Sequence, residues 1–213
     1  MPAANLEPPH DCPLCPRLAD FRAANRKKFP DYFNAPVPCF GPRDARLAIA
    51  GLAPGLHGAN ATGRPFTGDW AGDLLYATLL KHGLARGVYK ERADDGLELV
   101  DCRIVNSVRC VPPQNKPELS EIKTCRQFLI AEIGAMPKLR AILALGKIAH
   151  DSVCDTLGLR KAAHPFKHGG VYQAREGLKL VSSYHCSRYN TNTGRLTAKM
   201  FEDVVGLAKK LAQ

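Results

Sequence analysis

Four short apolar runs divide the chain and predict the strands of a buried sheet. They lie at residues 46–55, 102–110, 140–146 and 178–185. Near-continuous apolar runs of about 4–8 residues are typical of parallel strands covered on both faces, whereas half-exposed strands alternate apolar and polar residues. Segments with helical periodicity separate the runs, and this alternation indicates an α/β fold. We therefore predict three α/β/α layers around a central four-stranded parallel sheet.

The segments between the runs predict helices, three of which lie at residues 70–83, 117–133 and 147–157. A last helix is indicated near the end of the chain, where apolar residues recur every three or four positions from Leu196 to Leu211. Gly83 is a suitable residue after a helix end. Pro117 is an acceptable first helical residue.

The N-terminal part, residues 1–45, is rich in proline and basic residues and shows little periodicity. No internal repeat or low-complexity stretch divides the chain, and its 213 residues suffice for one domain with a sizeable core. We predict a single domain over residues 1–213 that includes a cysteine-bearing N-terminal segment, 1–45.

The formal net charge of +10 indicates a polyanionic partner, with nucleic acid as the first choice. A basic surface without a specific partner is the alternative. The first residues show neither the basic start nor the apolar core of an export signal, and no apolar run reaches the roughly 18–20 residues that span a membrane. We therefore expect a cytoplasmic protein in a reducing compartment, with no membrane partner.

Eight cysteines in a reducing compartment indicate metal binding or chemistry more than disulfides. Two residues separate Cys12 from Cys15, Cys110 ends a predicted strand, and Cys125 lies on the next helix. Together they can form a four-thiolate site for Zn²⁺ or an iron–sulfur cluster, and their spacing leaves both open. An accidental pair with buried structural cysteines elsewhere is the alternative. The remaining cysteines are predicted to pack in the core: Cys39, Cys102, Cys154 and Cys186.

Polar segments follow three of the predicted strands. They read GLAPGLHGANATGRPFTGD (51–69), NSVRC (106–110) and SYHCSRYNTNTGR (183–195). Ligands of open α/β sheets bind beyond the carboxyl ends of the strands. We therefore predict that these segments form one site.

The same segments, with NSVRCVPPQNKP (106–117) and the four cysteines, resemble the family 5 uracil-DNA glycosylases over nearly the whole chain. The resemblance implies a small parallel sheet between helices and a [4Fe–4S] cluster on Cys12, Cys15, Cys110 and Cys125. It also implies a prokaryotic, nucleoid-associated monomer that acts on uracil or other deaminated bases in double- and single-stranded DNA. The sequence departs from the pattern at Cys186, where many superfamily members carry proline; this adds a thiol near the predicted site.

A glycosylase flips its target nucleotide out of the duplex into a pocket, and the resemblance assigns tasks within that pocket. Phe66 would stack on the base, and Asn106 would read the O4 and N3–H edge of uracil. His185 would donate a hydrogen bond to O2 as negative charge builds there. Each residue has a structural alternative: a core phenylalanine, a turn-fixing asparagine or a satisfied histidine.

The group that activates water is the least obvious, because the first motif has Leu52, Ala53 and Leu56 where many relatives carry an acid or an amide. Asp69 is the candidate, either to orient water or to favour the cationic sugar. A helix N-cap is its alternative role. Asp69, His185 and Asn106 are thus the predicted catalytic residues. Further base contacts are predicted at Gly51, Ala53, Gly55 and His57, and His57 is the second choice for activating water.

The hydroxyl-rich, basic segment after His185 is predicted to open the last helix and to meet DNA through Ser187, Arg188, Asn190 and Arg195. No motif places a lysine as an amine nucleophile, so we expect a monofunctional hydrolase. One alternative is a superfamily member that binds DNA but is catalytically silent or crosslinks to it. Another is a nucleotide-binding protein with structural zinc, which is disfavoured because GLAPG lacks the lysine of a phosphate loop.

Overall fold

The computed structural model of the chain describes residues 7–213. Its helices are α1 (Pro16–Lys28), α2 (Ala59–Thr62), α3 (Trp70–Lys81), α4 (Leu119–Gly134), α5 (Lys147–Thr156), α6 (Arg188–Asn192) and α7 (Ala198–Ala212). Its strands are β1 (Leu47–Gly51), β2 (Ala85–Arg86), β3 (Glu98–Leu99), β4 (Cys102–Asn106), β5 (Ala141–Leu145), β6 (Val171–Arg175) and β7 (Leu178–Ser183). A short 3-10 turn is formed by Pro113–Asn115.

The four predicted strands form the parallel part of the main sheet, which has the order β4-β1-β5-β7-β6. Strand β1 lies between β4 and β5, with Gly51 opposite Asn106. Strand β6 runs antiparallel to β7, so the sheet has five strands and is mixed, whereas four parallel strands were predicted. Because β6 lies at the edge and buries neither face completely, it lacks the continuous apolar run that identified the other four.

Alternate residues of the central strands face two separate cores, which confirms the predicted three-layer arrangement. Leu47 and Ile49 of β1 pack in a core with α3 and α7. Ala48 and Ala50 face the opposite core, which is covered by α4 and α5. A smaller cluster around Leu18 joins α1 to α4. The layers leave the carboxyl ends of the strands open to a site.

Two helix starts differ from the predictions. Helix α4 begins at Leu119, not at Pro117, because Glu118 is the N-cap and forms a capping box with Glu121. Helix α1 was not predicted at all. It begins with Pro16 at its first turn, but its many arginines, lysines and alanines give almost no apolar periodicity.

The segment 183–195 does not open the last helix as predicted. It forms the separate short helix α6, in which the Ser187 hydroxyl accepts a hydrogen bond from the Asn190 backbone N–H. Helix α7 has its own cap, Thr197, which accepts from the Met200 N–H. Within residues 7–213, no helix combines the length and the apolar composition needed to cross a membrane.

Candidate active site at the carboxyl edge of the sheet

The carboxyl ends of β1, β4 and β7 open into a pocket of about 410 Å³. The structure thus brings the three polar segments together. The pocket is lined by Leu52, Ala53, Pro54, Gly55, Ala59, Phe66, Asp69, Trp70, Ala71, Asn106, Asn115, His185, Ser187 and Arg188.

The floor of the pocket depends on Gly51, although Gly51 itself does not line it. A Cβ atom at this position would lie 2.4 Å from Asn106 Oδ1 and 2.8 Å from Phe66 Cζ. Only glycine lets both side chains approach the end of β1. The Phe66 ring then lies 6.0 Å from the His185 ring, with an interplanar angle of 28°, so one apolar face and one imidazole border the same space.

Phe66 has a backbone φ of +53°, an uncommon conformation for a non-glycine residue. Its neighbours hold it there. The Arg64 guanidinium forms two hydrogen bonds of 2.8 Å with the Asp95 carboxylate. Tyr76 donates to the Pro65 carbonyl at 2.6 Å. Because several contacts together hold this loop, it keeps the unfavourable backbone conformation and presents the Phe66 ring to the pocket in one fixed position.

Asn106 ends β4 and is only 3% exposed. Within the described residues, its Oδ1 atom has no hydrogen-bond partner. A buried unpartnered acceptor costs about 1–3 kcal/mol, and proteins usually satisfy such groups. Because Asn106 lines the pocket, a ligand carrying an N–H group would satisfy this atom.

His185 follows β7 and lies half-buried against the pocket. Burial lowers its pKa, and the nearby Asp69 carboxylate opposes that shift. The Asn190 side chain donates to the His185 carbonyl at 2.8 Å. A neutral imidazole on a braced loop is therefore ready to donate one hydrogen bond.

The two carboxylate oxygens of Asp69 have different surroundings. Oδ1 accepts a hydrogen bond of 2.9 Å from the Gly72 N–H and so caps α3. Oδ2 lies close to the glycines of the first motif. A Cβ atom added at Gly58 would be 2.7 Å from Oδ2, and one added at Gly55 would be 3.5 Å from it. The N-cap interpretation is thus correct, and it leaves the second oxygen on the pocket wall.

Four cysteines line one small cavity between α1, α4 and the segment after β4: Cys12, Cys15, Cys110 and Cys125. Across residues 7–213, no three of these sulfur atoms lie within 4.8 Å of one another. A tetrahedral zinc ion with Zn–S distances of about 2.3 Å would hold its sulfur ligands about 3.8 Å apart. Four cysteines suit either centre, and the wider spacing of their sulfur atoms suits a polynuclear cluster better than one zinc ion.

A second group of possible metal ligands consists of Glu7, Cys39 and Glu132. Arg103 lies 2.6 Å from Glu132, and Arg109 lies 2.9 Å from Glu7. These guanidinium groups balance both carboxylates, so the group forms a buried ion-pair cluster, which disfavours a cation there.

Residues 38–209 match the family model described as the uracil DNA glycosylase superfamily. The chain belongs to the uracil-DNA glycosylase superfamily. Among its relatives is the type-5 uracil-DNA glycosylase of Thermus thermophilus, 46% identical over 94% of each chain. The type-5 enzyme of Mycobacterium leprae is 44% identical, with 94% of this chain and 91% of the relative covered. That of Pyrobaculum aerophilum is 40% identical, with 92% and 86% covered. The resemblance drawn from the motifs is confirmed.

Several residues selected for this superfamily site lie elsewhere. His57 is exposed outside the pocket lining, and its Nδ1 is 3.0 Å from the Tyr32 hydroxyl. The Asn190 amide is occupied by the His185 backbone. Cys186 does not add a thiol to the site: it is fully buried, 3.5 Å from the Ala71 carbonyl oxygen. The other predicted packing cysteines, Cys39, Cys102 and Cys154, also lie in or against the cores.

Two residues that line the superfamily pocket were missed, and so was an exposed aromatic residue next to Arg188. Trp70 lines the pocket, and the Arg188 guanidinium lies 5.2 Å from the centre of the Trp70 ring. The indole N–H of Trp70 donates a hydrogen bond of 3.0 Å to the Thr191 hydroxyl. Asn115 lines the pocket with a φ of +57°. Tyr189 is 71% exposed on α6. Asn115 and Tyr189 stand inside quoted motifs, but only the fold shows that Asn115 lines the pocket and that Tyr189 is exposed beside Arg188.

Proposed function

We propose that this chain is a monofunctional uracil-DNA glycosylase of DNA base-excision repair. It hydrolyses the N-glycosidic bond of uracil, and of other deaminated bases, after flipping the nucleotide into the pocket. The observation that carries this proposal is the buried, unpartnered Oδ1 of Asn106, a residue of the pocket wall that Phe66 and His185 also line. The names of the type-5 relatives support it.

Base recognition rests on two groups. The flipped base stacks on the face of Phe66, since aromatic rings bind bases without regard to sequence. Asn106 Oδ1 accepts the N3–H of uracil, and the same amide offers its NH₂ to O4. Cytosine has an acceptor at N3 and an amino group at position 4, so it meets the wrong partner at both atoms.

His185 stabilises the departing base. As the glycosidic bond lengthens, negative charge develops on uracil O2, and a donor aimed at that atom binds the transition state more tightly than the substrate. A neutral imidazole suits this task, because burial lowers the pKa of His185. The hydrogen bond from the Asn190 side chain to the His185 carbonyl restrains the backbone that carries the ring.

Asp69 serves the sugar side of the reaction. Its Oδ1 remains bonded to the Gly72 N–H, which fixes the carboxylate plane. Its Oδ2 is left to orient the attacking water or to stabilise the cationic sugar. Because each oxygen has its own task, Asp69 can cap helix α3 and assist hydrolysis at the same time.

The protein binds DNA as a monomer, through residues around the pocket opening. Ser187 and Arg188 line the pocket, and Arg195 lies 4.6 Å from the Tyr184 ring. Their hydroxyl and guanidinium groups contact phosphates. Tyr189 is exposed next to Arg188 on α6, and this makes it our candidate to fill the gap left by the flipped base. Double-stranded and single-stranded DNA are both proposed as substrates, since the pocket would take either a flipped base or an unpaired one.

We also propose a [4Fe–4S] cluster on Cys12, Cys15, Cys110 and Cys125. Burial raises the pKa of Cys110 to about 11 and that of Cys125 to about 12. Coordination would convert these thiols to thiolates. When bound, the cluster would join the segment before α1, the segment after β4, and α4.

The test is product analysis with purified protein and duplexes that differ in one base only: uracil, hypoxanthine, xanthine or cytosine. We expect free uracil and a strand that breaks at the abasic site only after alkali treatment. The cytosine duplex should stay intact. Binding of the uracil duplex without base release would favour the silent alternative, and a stable covalent adduct would favour the crosslinking one.

A further inference from the structure

Arg22 on α1 is a buried cation beside the cysteine cavity. It is 5% exposed. Its Nη1 lies 3.5 Å from Cys110 Sγ, and its Nη2 donates 2.9 Å to the Cys12 carbonyl. Two of the four cysteines therefore contact one guanidinium.

No carboxylate balances the charge of Arg22 within residues 7–213, and residues 1–6 contain no Asp or Glu. The other arginines of α1 differ in this respect. Arg17 pairs with Glu121 at 2.7 Å, and Arg26 pairs with Asp11 at 2.6 Å. A buried, unbalanced guanidinium is costly, so the structure calls for an anion at this position.

A thiolate-ligated centre supplies that anion. Four thiolates around a [4Fe–4S]²⁺ core leave a net charge of −2. Neutral hydrogen-bond donors around the cavity would not balance this charge, whereas a guanidinium does so in part. We propose that Arg22 is the counter-ion of this centre, and that it both retains the cluster and raises its reduction potential. The inference rests on the iron–sulfur centre proposed above.

The effect on potential follows from charge. A one-electron reductant changes the centre from −2 to −3, and a nearby cation stabilises the more negative state. Net charge and hydrogen bonds to the sulfurs are among the factors that set cluster potentials. Arg109 is equally buried but lies 2.9 Å from Glu7, so its charge is already balanced.

Three variants of the cluster-loaded protein test this role. Arg22→Gln removes the charge and keeps an amide that reaches toward Cys12. Arg22→Lys keeps the charge. Lys27→Gln is the matched control, since it removes one charge from an exposed position on the same helix. Iron per chain, the rate of iron release to a chelator, and the potential in an anaerobic dithionite titration are measured for each.

We expect Arg22→Gln to lose iron several-fold faster than wild type and to have a lower potential, while Arg22→Lys and Lys27→Gln stay close to wild type. Failure of Arg22→Gln alone to acquire iron would support the same conclusion. Wild-type behaviour of Arg22→Gln would overturn it, and so would equal defects in Arg22→Gln and Arg22→Lys, because charge would then not matter. Wild-type protein without iron would instead contradict the cluster proposal itself.

Discussion

At the scale of single residues, Asp69 caps helix α3, and we propose that it also assists hydrolysis. Changing Asp69 to Asn keeps an oxygen for the Gly72 N–H and removes the charge. We expect folding and DNA affinity to hold, while the single-turnover rate on uracil falls by about 10²–10⁴-fold, the usual contribution of a positioned acid or base. An unchanged rate would leave Asp69 as a helix cap only.

His185 gives a prediction about pH. Burial lowers its folded-state pKa, whereas the unfolded chain should titrate near the ordinary value of about 6.5. As pH falls through that value, the unfolded state takes up the proton first, so the wild type loses stability. We expect this loss, at most about 1.4 kcal/mol per pH unit, to be absent in His185→Gln.

Urea unfolding of both proteins from pH 8 to pH 5 measures this difference. The other histidines are common to both chains and cancel. A gap between the two unfolding free energies that does not vary with pH would show that His185 is not held neutral by the fold.

The sequence predicted side chains that line the pocket better than it predicted the backbone positions that shape it. Phe66, Asn106, Asp69 and His185 have side chains whose chemistry suggests their tasks, and all four line the pocket. The role of Gly51 depends on a close approach between side chains distant in sequence. No local pattern reveals that contact.

At the scale of elements, the loop that presents Phe66 depends on the segment between α3 and β4. Asp95 in that segment has a fully buried side chain that pairs with Arg64, which is 4% exposed. Removing one partner of a buried pair costs about 3–5 kcal/mol. We expect Asp95→Asn to lose stability of that order and to slow uracil release.

Asp94→Asn is the matched control for that variant. Asp94 is the adjacent acid, but it pairs with Arg92 at 2.7 Å on the exposed surface. Exposed pairs are worth about 0–1 kcal/mol. Equal unfolding midpoints for the two variants in denaturant would refute the proposed support of the Phe66 loop.

Elements with a strong apolar pattern were predictable from the sequence. Each missed element lacks such a pattern for a physical reason. Strands β1, β4, β5 and β7 are buried on both faces, so each has an apolar run. Strand β6 is half-exposed, and α1 is held by a few contacts such as Leu18 rather than by a continuous apolar stripe. The start of α4 was misplaced because Pro117 and the Glu118 cap both signal a helix start.

At the scale of the whole molecule, the charge of +10 should appear as salt-dependent DNA binding. Each neutralised phosphate contributes about −0.9 to the slope of log K against log[salt]. We expect Arg188→Ala and Arg195→Ala each to reduce the slope by about that amount, for any DNA sequence. Lys210→Ala, at the far end of α7, is the control. Slopes identical to wild type would exclude phosphate contacts by these arginines.

The family and the layered fold were accessible from sequence because motifs and strands are local. The extent of the domain over residues 1–213 stays a prediction. The full lining of the pocket was not accessible, since Trp70 and Asn115 come from separate segments that only the folded sheet brings together.

The most direct test of the account is the ratio of single-turnover base release from uracil and cytosine duplexes, measured for wild type and Asn106→Ala. This ratio reports whether the amide of Asn106, whose Oδ1 has no partner within the described residues, recognises the uracil edge. We predict a high ratio for wild type and a ratio lower by at least 10-fold for Asn106→Ala, because one well-placed hydrogen bond is worth about 0.5–1.5 kcal/mol and an unmatched buried partner about 1–3 kcal/mol more. A ratio unchanged by Asn106→Ala would contradict the account.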